Sequence, residues 1–392
     1  MNSTPCLLTS DRIPDMLTDA LRLKDFPSLE NRTYLNSAAE GIPPLSVKDA
    51  LLQYFQDKLL GMDGRLLHEA QWNATRELVA SFYNLTPNEI GLCSCSSEAY
   101  NLTAMALHLK PGDEVVINDL DFPAGATPWL QEGCAATVKV WRHRNGILQF
   151  EDLVPLLGSK TRLVNVSLVS FLNGFKISVP NLVDTVRKHS TSLLALDVTQ
   201  ALGRIPLKLD GVDLIISSTH KWILASHGGG LVGVPSAKNN ELTSKAGGWF
   251  NLEEPFGANR FTEAKSKPGA ASFAVGMPNY PAIYAIRAGL QYIHSIGVEK
   301  IEAATRPLVL HCLEELAKLP IELITPTNPE HVAGILAFRH PKADVIHAHL
   351  KSKNIHVMGN AGRLRIAIHG YNTHRNVEVL LQELKAVLQQ VG

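Results

Sequence analysis

The sequence has no surplus of either charge: Lys and Arg together number 37, as do Asp and Glu, across 392 residues. It also lacks a basic block and any zinc-finger spacing, so nothing electrostatic argues for a nucleic-acid partner. Cysteine is scarce and odd in number, at positions 6, 93, 95, 134 and 312. No disulfide scaffold is expected, and a reduced, cytoplasmic setting fits better. Cys93 and Cys95 form a CxC pair with no second ligand pair nearby in sequence; packing, not metal ligation, is the expected role. Apolar runs are short, and none is long enough to cross a membrane. The opening MNSTPCLLTSDRIPDML has neither the basic start nor the apolar core of a secretory signal.

What is present is an alternation of short apolar runs with helical stretches. VVIN (115–118), ATVKVW (136–141), RLVNVSLV (162–169), SLLALDV (192–198) and DLIISS (213–218) read as strands. Helical patterns near 125–132, 150–157 and 179–189 separate several of them, which predicts a mostly parallel sheet covered by helices. GGGLVGV (228–234) reads as a further strand, and 45–60 and 66–83 read as helices. Residues 241–278 are rich in Gly, Pro and charge, as loops are. Beyond Pro281, helices alternate with short strands at 332–338 and 363–369, the pattern of a smaller α+β domain. The length favours two packed domains. The division read here is a helical lead-in over 1–33 packing on the smaller domain, a large domain over 34–278 and a small one over 279–392.

One segment concentrates chemistry: DVTQALGRIPLKLDGVDLIISSTHKW (197–222). Asp197 closes an apolar strand, where open parallel sheets place ligand groups. Lys221 follows the next strand by a few residues. Pyridoxal-phosphate chemistry needs an amine to form a Schiff base and an acid beside the pyridine nitrogen. The same lysine, once displaced by substrate, can act as a base.

The joined DVTQ and SSTHK signals resemble the class V aminotransferase family of fold type I pyridoxal-phosphate enzymes, from about residue 34 to 380. That resemblance implies a mostly parallel seven-stranded sheet and a homodimer acting on an amino acid. It assigns Lys221 to the Schiff base, Asp197 to the pyridine nitrogen, Gln200 to the ring hydroxyl, and Ser218 and His220 to the phosphate. In CSCSSEAYNL (93–102), small hydroxyl residues precede a helix, whose free N–H groups suit an anion; the resemblance makes Ser96 and Ser97 phosphate ligands. Cys95 stands where the family often has Gly. Phe122, in DLDFPAGATPW (119–129), matches the aromatic platform over the cofactor ring. Cysteine desulfurases of the family commonly place His there, so the chain is expected nearer the kynureninase and isopenicillin N epimerase-like branches.

SFLNGF (170–175) resembles the substrate-side turn, with Phe171 in place of the family's Asn and Asn173 as a displaced substrate contact. GRLRIAIHGYNT (362–373) looks like the arginine strand of the family. Arg365 matches the residue that grips an α-carboxylate with its rigid donor fork, and Arg363, two residues away on the same strand face, is the fallback. Met277 and Ser272 replace residues the family uses in a contact across the subunit boundary, so that contact is not carried over. Desulfurases also place a cysteine upstream of the carboxylate arginine, whereas 340–365 contains none. Transamination is therefore the first expectation for the reaction, with epimerisation and C–S lysis as alternatives from the same machinery.

Overall fold

The computed structural model describes residues 19–391, with side chains from Arg22 onward. Cys6 and the first part of the expected lead-in lie outside the described residues. Seven strands form one sheet: β1 (Ile90–Cys93), β2 (Glu114–Asn118), β3 (Thr137–Trp141), β4 (Thr161–Ser167), β5 (Leu193–Asp197), β6 (Leu214–Ser218) and β7 (Gly230–Gly233). Their order is β1-β7-β6-β5-β4-β2-β3, and β7 alone runs against its neighbours. This is the mostly parallel seven-stranded sheet that the resemblance implied. β5 and β6 read LLALD and LIISS and are buried along their whole length, as strands covered on both faces must be.

The helices named below are α1 (Leu45–Leu59), α2 (Arg65–Tyr83), α3 (Ser96–Leu107), α4 (Pro123–Leu130), α5 (Val179–His189), α6 (Tyr280–Ile296), α7 (Val298–Leu316), α8 (Ala343–Ser352) and α9 (His374–Val391). α5 shows why such segments fold: Val179, Leu182 and Val186 are buried on one stripe while its last turn carries Arg187, Lys188 and His189 at the negative end of the helix dipole. The helix expected over 150–157 is a single turn, Phe150–Leu153, followed by a 3-10 turn that contains Pro155; proline cannot donate the hydrogen bond that would continue it.

From β4, the chain has laid β2 and β3 to one side, and it lays β5, β6 and β7 to the other. The order reverses between β2 and β4, and such a reversal leaves a crevice beyond the C-terminal strand ends. A second sheet is antiparallel, with β8 (Glu322–Leu323), β9 (Ile335–Arg339), β10 (Met358–Asn360) and β11 (Arg363–Ala367) in the order β10-β11-β9-β8. Leu336, Phe338, Leu364 and Ile366 face Leu380 and Leu384 of α9 in one apolar cluster. The period of two then sends Arg363 and Arg365 to the opposite face. β10 and β11 are joined by Ala361 and Gly362, both at positive φ (51° and 74°), the backbone handedness that closes a two-residue hairpin.

Candidate active site

At the crevice lies a cavity of about 220 Å³. Every expected cofactor residue lines it: Ser96, Ser97, Phe122, Asp197, Gln200, Ser218, His220 and Lys221. Cys95, Ser167, Phe171, Thr199, His227, Gly228 and Gly229 complete the wall. A somewhat larger cavity, about 270 Å³, is enclosed by the loop 252–265, remote from this cluster of groups.

Asp197 ends β5 with both carboxylate oxygens engaged. Oδ1 accepts from the Thr199 backbone N–H at 2.8 Å and Oδ2 from the Tyr100 hydroxyl at 3.0 Å. The first is the local turn that aspartate makes with its own chain two residues on. The second comes from the buried face of α3 and holds the carboxylate from behind. Gly125 permits this arrangement, because a Cβ there would sit 2.8 Å from Asn165 Nδ2 and 3.3 Å from the Tyr100 oxygen. Asp121 lies close by and accepts from the Ser167 N–H at 2.8 Å; burial pushes its carboxyl up to about 7. Sequence reasoning missed Tyr100, Asp121 and Thr199. Only Thr199 left a signal, its spacing of two from Asp197.

Ser218 ends β6, and its hydroxyl lies 2.8 Å from that of Ser96 at the first turn of α3. The helix start and the strand end thus present two hydroxyls to one point, beside the unpaired N–H groups of the helix. Cys95 caps α3 from extended backbone (φ −169°), with its sulfur accepting from the Glu98 N–H. A glycine is not required there, so the departure from the family leaves the turn intact. His220 stacks on His227 with ring centroids 4.5 Å apart. Burial, then the neighbouring Lys221 cation, lowers the His220 imidazole to about 4.

Lys221 is half-buried, with Nζ 5.2 Å from the centre of the Phe122 ring. Burial lowers its pKa, Asp197 opposes the drop and Arg365 adds to it. The neutral amine is the nucleophilic form, so burial prepares this lysine for addition to a carbonyl. Phe122 meets Phe171 edge to face at 5.0 Å. Gln200 is fixed at both ends of its amide, donating to the Ala38 carbonyl at 3.1 Å and accepting from the Trp222 indole at 2.6 Å.

Arg365 and Asn173 do not line the cavity. Arg365 donates from Nη1 to the Phe171 carbonyl at 2.9 Å, and its buried Nε has no partner. Phe171 therefore contributes a ring to the cavity wall and a carbonyl to the arginine. Asn173 requires a correction. Its amide donates to the Gly146 carbonyl at 2.8 Å and accepts from the Phe175 N–H at 3.0 Å, so its side chain shapes the turn and is not presented to substrate. His369 and Tyr371 are likewise fully buried; the imidazole donates from Nε2 to the Trp222 carbonyl and accepts at Nδ1 from the Gly370 N–H.

The family described as aminotransferase class-V matches residues 33–380. The chain belongs to the class-V aminotransferase family. Among curated relatives, an uncharacterized aminotransferase, YcbU of Bacillus subtilis, is 26% identical over 92% of this chain and 96% of its own. A cysteine desulfurase of Salmonella gallinarum is 27% identical over 94% and 98%. Among solved structures, a cysteine desulfurase from Thermococcus onnurineus superposes with TM-score 0.84 at 22% identity, over 98% of this chain and all of that one. The cystine C–S lyase C-DES gives 0.83 at 21%, over 92% and 98%.

This class-V aminotransferase family member has the fold type I architecture, and its cofactor is pyridoxal phosphate. The residues fit that group: an amine whose pKa burial lowers, an anchored carboxylate, paired hydroxyls at a helix start and an aromatic face share one cavity. The chemistry is accordingly that of a pyridoxal-phosphate enzyme on an amino acid. The expected branch is corrected. Cysteine desulfurases match over nearly the full chain, so the similarity found favours that branch over the kynureninase and isopenicillin N epimerase branches. Phe122 misled because Phe and His both offer a π face to a stacked ring, so that position does not separate branches.

Proposed function

We propose that this enzyme is a C–S lyase, which eliminates the β-sulfur from an S-substituted cysteine. The observation that carries the reading is the two-residue turn between β10 and β11. In a chain related to cysteine desulfurases, the segment preceding Arg365 has no room for a loop, and 340–365 contains no cysteine. No thiol is available on that segment to accept sulfur, and Cys95, the thiol in the cavity wall, caps α3 at the phosphate end, so in this reading sulfur leaves into solution. Transamination, the first expectation, has less support from the relatives.

Pyridoxal phosphate, when bound, supplies the electron sink for negative charge at Cα. Ser96, Ser97, Ser218 and His220 hold its phosphate end, Gln200 its ring hydroxyl and Phe122 one ring face. Asp197 keeps the ring nitrogen protonated, and Lys221 provides the attaching amine. Arg365 grips the substrate α-carboxylate and so orients the Cα–H bond. Lys221 removes that proton at Nζ. The electron pair left at Cα forms the Cα–Cβ double bond as the Cβ–S bond breaks, and the proton ends on the departing thiolate. Uptake of one water then leaves pyruvate and ammonia beside the thiol. A homodimer is part of the proposal, supported by the apolar side chains that α1 and α2 leave uncovered: Leu52, Phe55, Leu59 and Leu66.

Incubation with an S-alkylcysteine, with thiol, pyruvate and ammonia assayed together, tests the reaction. Equal release of all three supports it. A keto acid that retains sulfur, or a substrate recovered with inverted configuration, would overturn it.

A further inference from the structure

We propose that Arg363 joins Arg365 in a paired anion site, and that the enzyme selects substrates whose side chain ends in an acid. The inference rests on the C–S lyase reading and names its leaving group: a thiol bearing a carboxylate or comparable anion.

β11 places the two arginines on one strand face, 7% and 4% exposed. Each guanidinium is anchored on the loop that borders the cavity. Arg365 Nη1 donates to the Phe171 carbonyl at 2.9 Å and Arg363 Nη1 to that of Leu172 at 2.7 Å. The Arg363 guanidinium also lies 5.5 Å from the centre of the Phe171 ring, which itself lines the cavity. Those contacts fix both forks without neutralising either.

No carboxylate lies within ion-pair distance of either arginine among the described residues, and Arg365 Nε is buried with no acceptor. Elsewhere this fold pairs its buried guanidinium. Arg204, which has no exposed surface, meets Glu302 at 2.5 Å. Guanidinium does not give up its proton in proteins, and a buried charge without a partner is strongly unfavourable. Burial lowers the pKa of both groups, and each sits beside a further arginine. Two positive charges thus stand beside the cavity with no carboxylate partner, one of them with a buried Nε that has no acceptor, and a ligand can supply the negative groups.

The substrate α-carboxylate satisfies one fork. A second acid satisfies the other, and alternate residues of a strand are about 6.5–7 Å apart, a separation that a side chain of a few bonds spans. An amino acid with a neutral side chain leaves Arg363 without its counter-charge.

Two comparisons with the holoenzyme test this. The first is kcat/KM for S-(2-carboxyethyl)-cysteine against S-propylcysteine, in the wild type and in Arg363→Gln. At least a ten-fold preference for the acid is expected in the wild type, collapsing toward unity in the variant. Equal turnover of both by the wild type, or a preference that survives Arg363→Gln, overturns the proposal. The second is calorimetric binding of glutarate against butyrate, which needs neither turnover nor a variant. Tighter binding of glutarate by the wild type supports the paired site, even if neither thioether is cleaved and the lyase reading fails. Equal binding of the two acids overturns it.

Discussion

The hydroxyl of Tyr100 bears on the chemistry through Asp197 alone. The Tyr100 hydroxyl and the Thr199 N–H fix both oxygens of that carboxylate, which in the proposed reading orients it toward the cofactor's ring nitrogen. Hydrogen bonds to charged groups contribute about 1.5–3 kcal/mol, so Tyr100→Phe is expected to lower kcat by roughly ten-fold. KM should change much less. The ring-nitrogen NMR shift of labelled cofactor should move toward the unprotonated form, which a merely structural tyrosine would not cause. Lys221 gives a pH test of its own. Its pKa is lowered chiefly by burial, and only the neutral amine attacks an aldehyde. Cofactor loading of the apoprotein should therefore accelerate as pH rises and level off below the ordinary lysine range, read from the growth of the Schiff-base absorbance. A rate that keeps climbing into that range contradicts the assignment. At this scale, the sequence singled out Lys221, Asp197 and the serines because their types and spacing suit cofactor chemistry, and the structure gathers them around one cavity. Tyr100 was hidden, since an aromatic on a helix reads as ordinary packing. Asn173 was misread for the converse reason: a turn amide and a substrate amide look alike until the hydrogen-bond partners are known.

Glu89 shows how an element boundary is fixed. It lies just before β1, where its carboxylate accepts from the Thr86 and Ser236 N–H groups at 2.8 and 2.6 Å, tying the end of a 3-10 turn to the segment after β7. Burial alone would raise its pKa, but the hydrogen bonds outweigh it and hold the group at about 2. A depressed carboxylate contributes stability that is complete above its unfolded value near 4.5 and is lost as pH falls toward 2. Glu89→Gln should lower stability at neutral pH by about 1–2 kcal/mol after allowance for solvent screening. It should also flatten the acid limb of a denaturation profile, and an unchanged limb would contradict the role. The strands that were read as apolar runs ended within a few residues of expectation, whereas β1, β8 and β10, short or flanked by polar residues, were not read. One of the hydrogen bonds that fix the start of β1 comes from Ser236, 147 residues away in sequence. α1 was legible as an amphipathic helix, yet Leu52, Phe55 and Leu59 on it are 53%, 60% and 72% exposed. Periodicity identifies an apolar face, not the surface that covers it.

For the whole molecule, that uncovered face is the reason to expect association. Monomeric proteins rarely leave contiguous large apolar side chains in water, and a second copy of the chain would bury them. Phe55→Lys combined with Leu59→Lys is expected to convert a dimer to a monomer by light scattering, and a wild type already monomeric at micromolar concentration would reject the interface. The mostly parallel sheet and the smaller α+β part followed from the alternation of patterns, whereas the reversal point and the antiparallel order of the second sheet are visible only in the structure. The reaction did not, because one constellation of lysine, aspartate and arginine serves several outcomes. In the reading proposed above, the two-residue turn between β10 and β11 is what favours elimination. The most direct measurement follows isotopically labelled sulfur from an S-substituted cysteine carrying the label at the β-position, with intact-protein mass recorded during turnover. Elimination places the label in free thiol, equimolar with pyruvate, on a protein of unchanged mass. Label held on the protein as added sulfur, or retained in a keto acid, would contradict it.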